Sequence, residues 1–356
     1  MSTPWTIAKQ GIHYFRRREV FILEGRERSG GRPLCVAVAG SLPLKDYLAK
    51  IAFEGTVTQR LLARVPAWSI PALVKRLSPE CALLAWKIPP FLGIYFARDS
   101  FARLPWWVDM RIDLQGTPPV FHTKHRFLSL EKIVASQGFT AESARDEAAV
   151  FDFYHDLYVP YIRNRHGVHA LVRPYAQTRE AVMSGRWELM LLKRAGQALG
   201  GATIDISGPT VRAIDFGVRD GSQENLQQGV AGGLYYFLLT RLRERGIETL
   251  DIGNCHPFVS DGVFRYKMSL GAYLFEPDID NGGVIDLQLL QLTAGLQDFV
   301  VNNSFIELEG RNQLKLNVVV KNLDASAQSH FEAMRRRYCF KGTVSARLVS
   351  IPDLFP

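Results

Sequence analysis

Residues 187–218 read as strand, turn, strand, turn, strand. The predicted strands cover residues 188–193, 198–207 and 210–218, with turns at Gly196 and at Gly208-Pro209. Strands joined by turns this tight run antiparallel, so the stretch predicts a three-stranded meander. The apolar face of a meander needs a second layer to cover it, which strongly restricts the folds open to this chain.

The next segment supplies that layer. After a glycine-containing stretch, residues 232–245 predict a long helix that ends at Gly246. The run "IETLDIGN" then returns as a strand, and a helical crossover of this kind normally places it parallel to a neighbouring strand. Strands and helices alternate in the first third of the chain as well, so the fold class is α/β with mixed α+β character.

The chain has 356 residues, which is more than one hydrophobic core usually supports. We divide it into an N-terminal domain (1–139), a second domain (140–280) and a C-terminal extension (281–356). A helix is predicted over residues 129–137 with Ser129 as its N-cap, and another near the start of the second domain, where Pro160 should end or kink it. The extension predicts a helix over residues 287–302 and the strand "LKLNVVV".

That second-domain helix carries an apolar stripe on one face. Its members are Val150, Phe153, Tyr154, Leu157 and Tyr158. The spacing predicts that this face packs on the sheet.

The net charge of +8 favours phosphate-rich partners such as nucleic acid, nucleotide cofactors or anionic lipid. Arginines cluster at residues 16–18 and 335–337. The four cysteines show no CxxC or Cys/His metal spacing, which predicts reduced thiols, a cytoplasmic location and no structural zinc. No transmembrane segment is predicted, although apolar stretches between residues 81 and 110 leave peripheral membrane contact open.

Three stretches together resemble a known superfamily. They are "QQGVAGG" at residues 227–233, "RGIETLDIGNCHPFVSDGVFRYKMSLGA" at 245–272 and "DFYHDLYVPYIRNRHGV" at 152–168. The second contains Gly262, Tyr266, Lys267 and Gly271 in the order found at the end of the catalytic domain in Fem-type proteins. The chain is similar to this branch of the GNAT acyltransferases, which implies two tandem GNAT-like domains, each a mostly antiparallel sheet flanked by helices, with the N-terminal one degenerate.

The resemblance also implies a site for the donor. In GNAT proteins a helix N-terminus and its backbone amides bind the pyrophosphate of acyl-CoA. Here the corresponding residues are Gln228, Gly229, Gly232 and Gly233. The alternative is that these glycines only allow the helix to pack closely on the sheet. Acyl-CoA is expected as a co-substrate, with no tightly bound cofactor.

Four residues are the predicted catalytic group: Lys267, Tyr266, His256 and Asp251. A lysine in a stretch otherwise fit for a core avoids a desolvation cost by reaching water or an anion, and an ammonium can stabilise an oxyanion. His256 or Asp251 could accept the acceptor's proton, although Asp251 could instead cap the following amides.

The predicted substrate-binding residues are Tyr161, Arg165, His166 and Asn254. The basic turn "RNRHGVH" suits a phosphate or carboxylate, while a helix C-terminus also favours basic residues without any ligand. No metal site is expected, because the pairs His122 with His125 and His166 with His169 lack an HExxH motif or a cysteine partner.

The sequence therefore favours an acyltransferase that moves an acyl or aminoacyl group to an amine or hydroxyl of a small metabolite, sugar or peptide by direct attack. Two alternatives remain open: a transferase whose donor is aminoacyl-tRNA, held by the arginine clusters, and a non-catalytic binding module on the same fold.

Overall fold

The computed structural model describes residues 17–77, 79–88, 101–115, 124–167, 172–208, 210–277, 279, 283–310, 313–339 and 344–354, with backbone alone at residues 77, 124–128, 166 and 354. The chain forms two compact units. The first comprises residues 1–109, 254–265 and 274–356, and the second comprises residues 110–253 and 266–273. These limits differ from the division at residues 139 and 280, because contacts between segments distant in sequence decide which segments form one compact unit.

Sixteen strands lie in the described residues: β1 (Arg18–Glu27), β2 (Pro33–Gly40), β3 (Phe53–Val65), β4 (Leu83–Ile88), β5 (Ala102–Pro105), β6 (Val108–Asp113), β7 (Thr140–Ala144), β8 (Trp187–Arg194), β9 (Gln197–Asp205), β10 (Val211–Val218), β11 (Thr249–Cys255), β12 (Ala272–Pro277), β13 (Val284–Leu289), β14 (Phe305–Glu309), β15 (Gln313–Val320) and β16 (Val344–Ser350).

The α-helices of the same residues are α1 (Leu42–Ala52), α2 (Ile70–Leu77), α3 (Lys124–Gln137), α4 (Glu147–Asp152), α5 (Val159–His166), α6 (Tyr175–Met183), α7 (Gln223–Gln227), α8 (Val230–Glu244), α9 (Gly262–Ser269), α10 (Ala294–Asn302), α11 (Ala325–Tyr338) and α12 (Ile351–Leu354). A π-helical segment (Phe153–Tyr158) joins α4 to α5. Short 3₁₀ turns lie at Ala67–Ser69 and Arg219–Gly221.

The first unit contains a six-stranded sheet in the order β3-β1-β2-β4-β13-β5 and a three-stranded sheet in the order β14-β15-β16. Strand β2 runs parallel to β4, while its pairing with β1 is antiparallel. Alternate residues of the central strands enter two different cores, Val36 and Val38 on one face of β2 and Ala37 and Ala39 on the other. Because both faces are covered, these strands read in the sequence as nearly unbroken apolar runs.

The C-terminal segment departs from its predicted secondary structure. Residues 284–289 form β13, which lies between β4 and β5, and the helix begins only at Ala294. Thr293 caps that helix by accepting a hydrogen bond from the Leu296 N–H. The prediction of one helix over residues 287–302 was wrong at its start, because two partner strands far away in sequence offer "VIDLQL" a ladder of hydrogen bonds.

The second unit holds most of a seven-stranded sheet in the order β12-β6-β11-β10-β9-β8-β7. Strands β8, β9 and β10 form the predicted antiparallel meander, and β11 runs parallel to β10 after the α8 crossover, also as predicted. The mixed fold class with mostly antiparallel sheets flanked by helices is confirmed. Ser129 is not an N-cap: it lies inside α3, which already begins at Lys124.

The helical segment before the meander continues through Pro160. Proline has no N–H to donate and its ring crowds the preceding turn, which is why a break or kink was predicted. The chain instead widens by one residue per turn over Phe153–Tyr158, where the Val159 N–H donates to the Tyr154 carbonyl, and α5 then carries Pro160 in its first turn.

The predicted apolar face of this segment packs on the sheet, with Val150, Phe153, Leu157 and Tyr158 buried. The π-helical backbone comes very close to Gly217 of β10. A Cβ atom at position 217 would stand 2.6 Å from the carbonyl carbon of Leu157 and 2.6 Å from the nitrogen of Tyr158. The contact therefore requires glycine.

Among the described residues, none of the helices combines the length and the hydropathy needed to cross a bilayer.

Candidate functional site

Strands β10 and β11 are paired at two positions, Val211 with Leu250 and Arg212 with Asp251. Just beyond this pairing, the register of β10 with β9 shifts between Ala213 and Asp215, so that Ile214 is an extra residue on β10. Such a bulge bends a strand and re-aims its side chains. The bulge lies just after the last residue of β10 that pairs with β11, and residues 213–216 of β10 line a cavity.

The cavity has a volume of about 90 Å³ and lies within the second unit. Its walls come from β9, β10, α8 and β11; they are Ala202, Ala213, Ile214, Asp215, Phe216, Leu234, Tyr235, Leu238 and Ile252. We call it the wedge cavity. The wall is mostly apolar and includes one aspartate and one tyrosine, a composition that is common in small-molecule sites.

Asp215 is the charged member of the wedge cavity and is 7% exposed. Burial raises the pKa of its carboxyl group, and the nearby Arg173 guanidinium, 3.3 Å from Oδ2, opposes that rise. Arg173 in turn lies over the Trp187 ring. A buried carboxylate with a raised pKa is a better proton acceptor than an exposed one, and functional sites are enriched in such groups.

A row of aromatic rings passes along the wedge cavity. Tyr161 meets Phe216 at 5.4 Å between ring centroids, Phe216 stacks on Tyr235 at 6.1 Å, and Tyr235 meets Tyr266 at 5.9 Å. Burial raises the pKa of Tyr235 to about 12. The exposed guanidinium of Arg165 donates to the Tyr161 hydroxyl at 2.5 Å. The row thus connects three predicted site residues, Tyr161, Arg165 and Tyr266.

The predicted donor site lies at the start of α8. Gly229 is the N-cap in a left-handed conformation (φ 91°) and provides no side-chain cap for the first turn. Gln228 accepts a hydrogen bond from Arg194 at 2.8 Å and donates one to Glu224 at 2.9 Å. A helix N-terminus without a side-chain cap, next to a guanidinium, favours an anion.

The glycines of this turn also have a packing role. A Cβ atom at Gly229 would stand 2.6 Å from Ile133, and one at Gly232 would stand 2.8 Å from Leu130, both side chains of α3. At Gly233 the nearest atom, on Phe139, would be 3.0 Å away. Close packing therefore accounts for the glycines by itself, and their contact with a pyrophosphate stays a prediction.

Lys267 and Asp251 both lie near the turn at the end of β11. Lys267 is 8% exposed, and its Nζ lies 3.9 Å from where a Cβ of Gly253 would stand. Asp251 accepts a hydrogen bond from the Gly253 N–H at 2.7 Å and pairs with Arg212 at 3.2 Å. Asp251 thus caps the following amide, which was the alternative foreseen for it; catalytic roles for Lys267, Tyr266 and Asp251 stay predictions.

His256 belongs to the first unit, as does Asn254 at the end of β11. The imidazole is packed between the Tyr47 ring at 3.8 Å and the Trp107 ring at 4.2 Å, and its Nδ1–H donates to the Trp106 carbonyl at 3.2 Å. Burial is the largest influence on its pKa, which is lowered to about 4. His256 is therefore neutral at pH 7. Its role as a general base stays a prediction, as does substrate binding by Asn254.

The burial of His256 predicts that the protein loses stability in acid. The pKa of His256 is about 4 in the folded protein and 6.5 when unperturbed, so the unfolded chain takes up a proton first as the pH falls below 6.5. We expect the free energy of unfolding to fall between pH 6.5 and pH 4 by on the order of 2–3 kcal/mol. Urea titrations followed by tryptophan fluorescence would measure this loss.

The same titrations on His256→Gln should give a shallower pH dependence over that range. His155→Gln, which removes an exposed histidine, should keep the parent dependence. Equal slopes for His256→Gln and the parent would contradict the assignment.

Four other histidines named from the sequence, one predicted to bind substrate and three considered only for a metal site that was not expected, lie outside the described side chains. They are His166 of the basic turn, His169, and the pair His122 with His125. The structure adds four residues to the candidate site that sequence reasoning missed: Asp215, Phe216 and Tyr235, which line the wedge cavity, and Arg194, which lies beside Gln228. An aspartate inside the apolar run "VRAIDFGV" was a signal for Asp215, but the bulge that turns this run toward a cavity has no signature in the sequence.

The comparisons with known proteins give distant structural matches. No family model matches the sequence, and no curated protein matches it. Solved structures that match include FemX (14% identity, TM-score 0.39, 83% of this chain and 92% of that chain) and a tandem GNAT protein from the clavulanic acid biosynthesis pathway (14%, 0.32, 75% and 82%). A GCN5-related N-acetyltransferase from Sphaerobacter thermophilus also matches (13%, 0.35, 73% and 74%). GNAT and Fem proteins, expected from the sequence motifs, thus recur among the structural matches.

Proposed function

We propose that the second unit binds an acyl-CoA and transfers its acyl group to an amine or hydroxyl of a small acceptor. The observation that supports this most directly is the wedge cavity, which opens where β10 and β11 stop pairing and is walled by the helix α8. In this proposal the acyl group lies in the cavity, whose wall includes Leu234 and Tyr235 of α8, and the phosphates lie at the N-terminus of the same helix. One ligand would then use both features.

The charges at the α8 N-terminus suit a pyrophosphate. Arg194 supplies a guanidinium, Gln228 an amide, and the first turn of the helix its backbone N–H groups. The volume of the wedge cavity, about 90 Å³, is small against the roughly 300–1,000 Å³ of pockets that hold drug-sized ligands. That size favours a short acyl chain.

Within the proposed site, Asp215 takes the proton of the attacking amine or hydroxyl, because its burial raises its proton affinity. Lys267 offers a buried ammonium that can stabilise the negative charge forming on the thioester oxygen. The acceptor attacks the thioester carbon directly and the thiol of coenzyme A leaves, so that alignment of the two substrates supplies much of the rate.

A titration with coenzyme A and acetyl-CoA tests this proposal by calorimetry and thermal shift. Saturable binding of both is expected. Ala213→Leu, which fills the wedge cavity, should weaken acetyl-CoA at least tenfold and leave coenzyme A itself nearly unchanged. Ala333→Leu, at an exposed position of α11, is the matched control. Absence of saturable binding, or acetyl-CoA affinity unaffected by Ala213→Leu, would rule out the wedge cavity as the acyl site.

A second donor, aminoacyl-tRNA, has one observation in its favour. In the first unit Arg335, Arg336 and Ser345 line a cavity of about 470 Å³. Arginines in a concave surface bind phosphate backbones, and such binding weakens steeply as salt rises. Total tRNA is therefore titrated at two salt concentrations alongside coenzyme A. Salt-sensitive binding of tRNA with no binding of coenzyme A would favour this donor. Binding of neither ligand would favour a binding module.

A further inference from the structure

Two cysteines distant in sequence lie side by side in the first unit. Cys35 is in β2 and Cys81 lies two residues before β4, and their Sγ atoms are 3.0 Å apart. The strands run parallel with Val36 opposite Leu83, and the Ala82 N–H donates to the Cys35 carbonyl at 2.9 Å. Strand pairing thus holds together two thiols that are 46 residues apart in the sequence.

The two thiols differ in access. Cys81 is fully buried, whereas Cys35 is half-buried, so a small reagent reaches the sulfur of Cys35 first. The hydrogen bond between the thiols, burial, and the carboxylates of Glu24 and Glu80 raise the pKa of Cys35 above its ordinary range. A thiol kept protonated is a poor catalytic nucleophile. The pair is therefore better suited to slow oxidation to a stable product than to repeated catalytic turnover.

A metal ion would need a third ligand, and Glu80 is the acidic side chain whose carboxylate lies within 4.8 Å of both sulfurs. That carboxylate is 49% exposed and already lies 3.5 Å from the Arg60 guanidinium, which offsets its charge. The two sulfurs, in contrast, need to approach by only about 1 Å to bond to each other. A disulfide is neutral, so it also removes two ionisable groups from this acidic surrounding.

We propose that Cys35 and Cys81 form a reversible disulfide site that joins β2 to β4. The oxidant is a low-molecular-weight disulfide. The Cys35 thiolate attacks one of its sulfurs and releases one small thiol; the Cys81 thiolate then attacks the Cys35 sulfur of the mixed disulfide and releases the second. The protein loses two hydrogen atoms, and the two small thiols carry them away.

The disulfide would close the part of the chain that contains α1, β3 and α2. Closing a loop of this length restricts the unfolded chain and so favours the folded first unit. We expect oxidation to raise the Tm of the protein by roughly 5 °C or more. Dithiothreitol should reverse the rise.

The test is incubation of the full chain with oxidised glutathione, followed by alkylation, mass spectrometry and a thermal scan. The expected product has lost two hydrogen atoms and yields a peptide that links Cys35 to Cys81. Cys339→Ser, which removes another half-buried thiol, should behave like the parent. Cys81→Ser should instead retain one glutathione on Cys35, because nothing resolves the mixed disulfide.

Three results would overturn the site. They are free Cys35 and Cys81 thiols after oxidation of the parent, a glutathione retained on Cys35 of the parent, and an unchanged Tm shift in Cys35→Ser. Mass spectrometry of the parent protein alone detects the free thiols or the retained glutathione, so these two results need no variant. Circular dichroism of each serine variant checks that it is folded before its Tm is compared.

Discussion

Gly217→Ala is expected to lower the free energy of unfolding by roughly 3 kcal/mol, a large effect for one added methyl group. The new Cβ would stand 2.6 Å from backbone atoms of Leu157 and Tyr158 and 2.8 Å from the Leu157 carbonyl oxygen. Side chains can rotate away from a clash, but these are atoms of a π-helical turn. Either β10 or the helix must move.

Movement of β10 would also disturb the wedge cavity, because Phe216 and Asp215 immediately precede Gly217. Urea unfolding followed by circular dichroism measures the stability change, and acetyl-CoA titration measures the change at the cavity. Gly208→Ala is the control: its added Cβ would have a nearest neighbour 3.9 Å away, so we expect little change. Equal stability of the two variants would show that the contact at Gly217 can relax.

Lys267→Met is expected to lower turnover at least tenfold, which corresponds to about 1.4 kcal/mol of transition-state stabilisation, while the protein stays folded. Lys267 is nearly buried beside Gly253, and its neighbour Tyr266 contacts Tyr235 of the wedge cavity. Methionine keeps most of the side chain's length and apolar volume but removes the ammonium. The loss should therefore appear in kcat more than in acetyl-CoA affinity, because the proposed charge develops only in the transition state.

The control for this change is Lys132→Met on the exposed face of α3, which should keep parent activity. Acyl transfer is followed by release of free coenzyme A, with Tm measured in parallel. Full activity of Lys267→Met would remove this residue from the site. An equal fall of activity and Tm would instead assign Lys267 a structural role, and unaltered ligand binding without any turnover in the parent would favour a binding module.

The meander and the helix α8 of the second unit were predictable because the sequence signals for turns, strands and helix ends lie within a few residues of each other. Turn glycines and short apolar runs located the meander, and the glycine-bounded helix α8 required a parallel return strand. The same reasoning did not foresee the widened helical turn over Phe153–Tyr158 that precedes Pro160, and it was wrong at residues 287–289, which pair with β4 and β5 instead of starting a helix. At residues 287–289 the outcome depends on two strands distant in sequence that lie alongside.

In the candidate site, too, some residues were found from the sequence and others only from the folded structure. Lys267, Tyr266 and Asp251 were identified from the sequence, and Asp251 capping the Gly253 amide was one of the foreseen outcomes. His256 was grouped with them because it is near in sequence, yet it is stacked between Tyr47 and Trp107 in the first unit. Neighbours along a loop can belong to different compact units.

The sequence alone determined the meander, the helix α8 and its parallel return strand in the second unit, the α/β class and the short list of chemically capable residues. Tertiary structure alone decided that Ile214 bulges, that Asp215 lines a cavity, that Gly217 meets a helix backbone and that Cys35 lies against Cys81. The physical reason is the separation along the chain over which each influence acts. Propensity and periodicity act over a few residues, whereas burial, pKa and the distance between two sulfurs are set by segments that meet only when the chain is folded.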